Sequence, residues 1–338
     1  MTMPPSSHPV LTAMSSEGHA LPVLDVTNPA FAPGLDVARI PDEMARYISE
    51  EKARRKAPIW VTRIIFWIVG RRSPLLRAVS GAREFLPGLT TYLLKLGPNH
   101  LVKPFDGPVD KAVANSLPAR STRVRMENVA RLLATALAPQ LAQQPDAPLA
   151  LINIAGGPAM DSINALLLLR QDHAALLEGR SVTLYILDID AGGPGFATAA
   201  LAALRAEGAP LAGVDARVEH RVYDWTQTGP LSELLAGLRA GGAVIAVSSE
   251  GGLFEYGDDQ AIKTNLGSLQ AGLAPGSAVV GSVTSDNEAT RLLNSSGVRF
   301  GTIPRGLAAF RALAEEAGFD LEESLPAAMS DEVWLSRR

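Results

Sequence analysis

A chain of 338 residues, 47% hydrophobic and 20% charged, has the apolar content to bury a sizeable core, which excludes wholesale disorder. Its net charge of −4 leaves no broad basic field for a phosphate backbone, so nucleic acid is not an expected partner. The lack of cysteine excludes disulfides, thiolate metal ligands and a cysteine nucleophile, and suits a reducing cytoplasm.

Residues 1–35 are rich in Pro, Ser and Gly, lack periodicity, and read as a mobile arm rather than a signal peptide. Helical signals start at Pro41-Asp42-Glu43, where a proline and acids suit a first turn. Helices are predicted over 42–55, 59–70, 74–81 and 89–96, broken by Pro58, Pro74, Pro87 and Pro98, followed by a loop over 97–118. Together 36–117 form a helical cap. Its segment 59–69 holds Trp60, Ile64, Ile65, Trp67 and Ile68, but also Arg63, and is far shorter than the ~20 residues of a membrane span. It is expected to be buried in the monomer or to pair with a second copy in a homodimer. A longer helix over 121–137 carries the stripe Val124, Val129, Leu132, Leu133 and Leu137.

From residue 149 short apolar runs alternate with helical patterns. Strands are predicted over 149–155, 182–187, 217–222, 243–248 and 278–283, and helices over 161–177, 194–207, 229–239, 258–272 and 305–317. Two further strands close the chain near 320–325 and 332–337. This alternation marks a doubly wound, mostly parallel α/β sheet occupying 118–338.

Four segments at the ends of these strands carry candidate chemistry. Asn153-Ile-Ala155-Gly156-Gly157-Pro-Ala159 is a glycine-containing turn between a strand and a helix, where backbone N–H groups can face a ligand. Leu187-Asp188-Ile-Asp190 ends the second strand with an acid able to accept from ribose hydroxyls; Asp188 is the first choice, with Asp190 its alternate or a helix cap. An NAD site reads similarly at this position. Asp224-Trp225 follows the third strand. Ser248-Ser-Glu250-Gly-Gly-Leu-Phe254-Glu-Tyr256 follows the fourth. Upstream, Pro118-Ala-Arg120-Ser-Thr-Arg123-Val-Arg125 opens the long helix. The five histidines show no metal-ligand spacing, and no metal is expected.

In order and spacing these segments resemble the class I S-adenosylmethionine-dependent methyltransferases over about 118–338. The resemblance implies a Rossmann-like seven-stranded sheet with an antiparallel last strand. The first turn departs from the family's acidic-x-Gly-x-Gly-x-Gly: Asn153 replaces the acid, Ala155 and Ala159 replace glycines, and Gly157 is kept. The resemblance gives Asp224 the adenine amino group and Trp225 the ring face, where stacking contributes about 1–3 kcal/mol. The fourth segment looks like the Glu-Gly-Leu-Leu-x-Tyr-Leu stretch of leucine carboxyl methyltransferase-like proteins. It gives Glu250 the orientation of acceptor or donor ammonium, and lets Tyr256 and Phe254 face the sulfonium. In that family an upstream arginine takes the methionine carboxylate, with Arg120 and Arg123 as candidates here; Arg125 and Arg131 are expected to face solvent.

The implied function is methyl transfer from S-adenosylmethionine to a small acceptor of the secondary-metabolite type. A second reading has the donor cyclise to azetidine-2-carboxylate with release of methylthioadenosine, for which a neutral Asn153 is suited. Others are a non-catalytic donor-binding protein and an NAD-dependent reductase, which the Asp224-Trp225 pair and the final strands do not favour.

Overall fold

The computed structural model describes residues 8–32, 34–56, 70–81, 85–295 and 301–338. Residues 8–32, expected to be part of a mobile arm, are instead a packed strap. Strand β1 (Thr12–Met14) pairs antiparallel with β2 (Ala20–Pro22). Leu21, Val23 and Leu24 then enter the main core almost fully buried. The Tyr92 hydroxyl accepts from the Leu24 N–H at 3.0 Å and donates to the Pro22 carbonyl, and Asn164 Oδ1 accepts from the Val26 N–H at 2.8 Å. Prolines erase hydrophobic periodicity without preventing burial, which is why composition misleads here.

Helix α1 (Ile40–Arg54) has Pro41 and two acids in its first turn and Lys52 and Arg54 in its last, the arrangement the helix dipole favours. After it come α2 (Pro74–Gly81) and α3 (Gly88–Leu96). The predicted helix at 59–70 falls almost wholly outside the described residues. The predicted loop contains a short helix, α4 (Pro108–Ala114), with proline in its first turn. The buried Asp110 of α4 accepts from Ser73 Oγ at 2.6 Å and from the Leu75 N–H at 2.9 Å, tying α4 to α2. Helix α5 (Leu117–Gln143) is longer than its apolar stripe suggested.

The sheet domain then alternates as expected: β3 (Leu149–Ile154), α6 (Met160–Asp172), β4 (Ser181–Leu187), α7 (Gly192–Leu204), β5 (Asp215–Arg221), α8 (Gly229–Ala240), β6 (Val244–Ser249), α9 (Leu253–Tyr256), α10 (Asp259–Gly272), β7 (Ala278–Thr284), α11 (Glu288–Asn294), α12 (Gly306–Glu316), β8 (Phe319–Pro326) and β9 (Ser330–Arg337). Among the described residues of this domain, only the short helices α9 and α11 were not anticipated. The strand order is β5-β4-β3-β6-β7-β9-β8, with β9 antiparallel to both neighbours. Central strands β3, β6 and β7 are buried along their whole length, because helices cover both faces of a parallel sheet.

One core cluster joins α5, α6 and α7 to one face of the sheet, and a second joins α8, α10 and α12 to the other. Cap residues Leu75, Val79, Tyr92, Leu93 and Leu96 belong to the first cluster, so α2 and α3 share the core of the sheet domain. Among the described residues no helix is long and apolar enough to cross a membrane.

Candidate active site

Strand order reverses direction at β3, so the carboxyl ends of β3, β4 and β6 border one crevice, the usual ligand position in a doubly wound sheet. Asn153 and Ser248 are register partners at that edge. Asn153 Nδ2 donates to Ser248 Oγ at 3.0 Å and to Asp161 at 2.9 and 3.2 Å, and its Oδ1 accepts from the Gly156 N–H at 2.9 Å. Buried, donating through its amide nitrogen and accepting once through its oxygen, Asn153 shapes the turn. The carboxylate missing from its position reappears at Asp161, fully buried in the first turn of α6. Burial, then the nearby Glu250 charge, push Asp161 up to about 6.

The turn itself is left-handed at Ala155 (φ 56°), Gly157 (φ 59°) and Ala159 (φ 48°). A side chain on Gly156 would strike Asn153, and one on Gly157 would strike the Gly88 backbone at 2.9 Å. The turn therefore receives the backbone of α3, and the N–H groups of Ala155, Gly156, Gly157 and Ala159 are all spent within the protein. The expectation that they face a ligand is corrected accordingly.

Asp188 stands where expected. It is half-buried, accepting from the Gly157 N–H at 3.1 Å and the Asp190 N–H at 2.9 Å, which leaves acceptor capacity on both oxygens. Burial raises its carboxyl above the usual range against those two bonds. Asp190 is exposed and accepts from the Gly192 N–H at 3.2 Å, its alternative role at the start of α7. Asp224 is exposed; one oxygen accepts from the Thr226 N–H and hydroxyl at 2.9 and 2.8 Å, which holds its carboxyl below the usual range. Beside these acids two apolar side chains lie open, Ile189 at 73% and Val222 at 72% exposure. Trp225 is half-buried, and Phe85 from the cap meets it edge-on at 5.8 Å and meets Tyr256 at 5.3 Å. Phe254 does not face the crevice: it packs on Phe310 at 4.8 Å in the second core cluster.

Glu250 is the centre of a buried ionic chain. Lys95 of α3 pairs with Glu250 Oε2, Arg125 Nε donates to Glu250 Oε1 at 2.6 Å, and Arg125 Nη1 donates to both Glu255 oxygens at 2.9 Å. Burial would raise the Glu250 carboxyl, but the two cations outweigh it and hold it low; Glu255, with less help, is raised. Arg125, expected in solvent, is thus buried in this ionic chain, whereas Arg131 is exposed on Glu127. Arg120 turns to Glu43 at 2.8 Å on the cavity wall, and Arg123 donates to the Leu94 and Ala114 carbonyls at 3.1 and 2.8 Å, clipping the cap. Lys95, Arg125, Asp161 and Phe85 were not picked from sequence. Arg125 carried a readable signal, since it lies one helical step from Val129 and two from Leu132 on the buried face of α5.

Beyond Glu255 and Tyr256 opens a cavity of about 1020 Å³ between α1, the start of α5 and the ends of β6 and β7. Its arginines are paired with acids or carbonyls: Arg46 with Glu50, Arg54 with Glu51, Arg120 with Glu43, and Arg55 with the Leu292 carbonyl. Burial, then the charge of Glu255, raise the Tyr256 phenol, so it stays a neutral hydroxyl at any physiological pH.

No protein-family description and no curated protein matches the chain. Among solved structures it is similar to a possible exported protein from Bordetella parapertussis, at 20% identity and TM-score 0.52, over 90% of this chain and 99% of that one. Weaker likenesses include magnesium protoporphyrin IX methyltransferase from Synechocystis PCC 6803 with bound SAH, at 16% identity and TM-score 0.44, over 65% of this chain and 87% of that one. Another is an O-methyltransferase family protein from Burkholderia thailandensis, at 14% identity and TM-score 0.40, over 69% and 61%. With its strand order and inserted antiparallel last strand, the chain has the fold of the class I S-adenosylmethionine-dependent methyltransferase superfamily.

Proposed function

We propose that the protein transfers the methyl group of S-adenosylmethionine to a small-molecule acceptor held in the cavity beside Tyr256. The observation that carries this reading is one juxtaposition. The Gly156-Gly157 turn, Asp188, and Asp224 with Trp225 stand at one sheet edge, and the segment after β6 links that edge to a cavity of about 1020 Å³.

The residues present fit the donor. Asp188 keeps free acceptor capacity for ribose hydroxyls, Asp224 has one oxygen without a partner among the described residues, and the bare Ile189 and Val222 side chains offer an apolar bed for adenine. Asp161, Lys95, Glu250 and Arg125 alternate in sign where a zwitterionic amino-acid half needs both charges. The donor supplies an electrophilic methyl on a sulfonium, so the protein's part is alignment and exclusion of water. Phe85, Trp225 and Tyr256 close the crevice from the cap side, and aromatic faces favour a nearby positive charge. The neutral Tyr256 hydroxyl and the Thr284 hydroxyl are among the polar groups of the cavity wall that orient an acceptor.

Cyclisation of the donor gains no support here. Its motive was an uncharged Asn153, which is engaged internally, and the cavity gives a second substrate a place. Incubation of pure protein with the donor is the test: S-adenosylhomocysteine appearing only with an added acceptor upholds methyl transfer, and methylthioadenosine from the donor alone sinks it. A cytoplasmic setting and self-association through segment 59–69 are finer parts of the proposal. Cell fractionation and sedimentation velocity check them.

A further inference from the structure

Resting on the donor reading above, we propose that Lys95, carried by the cap, is the residue that receives the donor's α-carboxylate. The upstream arginines Arg120 and Arg123, the expected candidates, point elsewhere: one to Glu43, the other to two cap carbonyls. Among the described residues, the cations paired with Glu250 just beyond β6 are Lys95 and Arg125.

The two differ in what they have left to give. Arg125 spends Nε on Glu250 and Nη1 on both oxygens of Glu255, and its other edge lies against Gly251, where an added Cβ would come within 2.6 Å of Nη2. Lys95 is 2% exposed, and its ammonium carries three donors in a side chain whose single partner among the described residues is Glu250. A buried ammonium with donors unspent is costly, and the cost is recovered when an acceptor arrives. An anionic carboxylate is the strongest acceptor for it.

The surroundings supply the other half of an amino acid. Asp161 lies close enough to Lys95 to feel its charge, touches Asn153 at the end of β3, and has no cation within ion-pair distance among the described residues. An α-ammonium beside Asp161 and an α-carboxylate on Lys95 extend the alternation of charge already present from Lys95 through Glu250 and Arg125 to Glu255. Because Lys95 sits on α3, whose Gly88 rests on Gly157, the same contact draws the cap onto the glycine turn. Lys95 is thus a binding residue for the amino-acid half and has no role toward the adenosine half.

Titration calorimetry with two probes tests this. S-adenosylhomocysteine carries the amino-acid half; methylthioadenosine lacks it. Lys95→Met is expected to weaken S-adenosylhomocysteine binding about 10- to 100-fold, the value of a charged hydrogen bond, and to leave methylthioadenosine within about twofold. Unchanged S-adenosylhomocysteine affinity in the variant overturns the assignment, and so does an equal loss for both probes, which reports a merely structural lysine. Wild-type protein that binds neither probe overturns the donor reading itself, a result distinct from the other two.

Discussion

Asp188 accepts one backbone N–H on each carboxylate oxygen and keeps acceptor capacity on both. Asp188→Ala is expected to lower S-adenosylhomocysteine affinity by about 10- to 100-fold in calorimetry, the sum of lost ligand bonds and a loosened Gly157. Trp225→Ala is expected to cost about 1–3 kcal/mol of the same affinity if the indole covers the adenine. A third residue reports on stability instead of binding. Glu332 is fully buried, accepts from Asn128 at 2.9 Å and Ser330 at 2.7 Å, feels Arg125 and Glu255, and is pushed by burial up to about 8 from 4.5. Its folded value is raised, so the neutral acid contributes fully below pH 4.5 and the contribution fades as pH climbs to about 8. Glu332→Gln removes that loss. Urea denaturation at pH 5, 7 and 8.5 should show the variant gaining on wild type as pH rises; a constant gap would refute the buried-acid account.

At the scale of elements, hydrophobic period carried most of the fold. The strands of the sheet domain stand within two residues of their expected bounds, and β3, β4, β6 and β7 do so because buried parallel strands are continuous apolar runs bounded by turn residues. An acid directly after such a run was equally legible, which is how Asp188 emerged, whereas Asp224 emerged through its pairing with Trp225. Lys95 was not, for a physical reason: nearly every residue of α3 is buried, so no polar face exists to show which side meets the site. The strap was hidden by its prolines. Tyr92→Phe tests its anchoring: removing one hydroxyl orphans the Leu24 N–H and the Pro22 carbonyl, an expected loss of about 1–3 kcal/mol in chemical denaturation. A loss near zero would mean the strap stays in place by apolar contact alone.

For the molecule as a whole, the strap, the cap and the sheet domain share one hydrophobic cluster, in which Leu21, Leu75, Leu93, Leu132 and Leu166 all take part. Cap and sheet domain are accordingly expected to melt together. Differential scanning calorimetry should give one transition, and S-adenosylhomocysteine at 100 times its dissociation constant should stabilise that transition by about 2.7 kcal/mol. Two transitions, with only one moved by ligand, would show that the cap is an independent unit.

The left-handed alanines at 155 and 159 have an implication for anyone tempted to restore the glycines of the family pattern. An L-residue there sacrifices about 1–2 kcal/mol of backbone comfort, while alanine returns roughly 0.5–1 kcal/mol by restricting the unfolded chain. The strain outweighs the return by roughly 0.5–1 kcal/mol, so Ala155→Gly and Ala159→Gly are each expected to raise a melting curve slightly. They would also broaden the basin in which the loop rests, and with it the seat that Gly88 of α3 takes on Gly157.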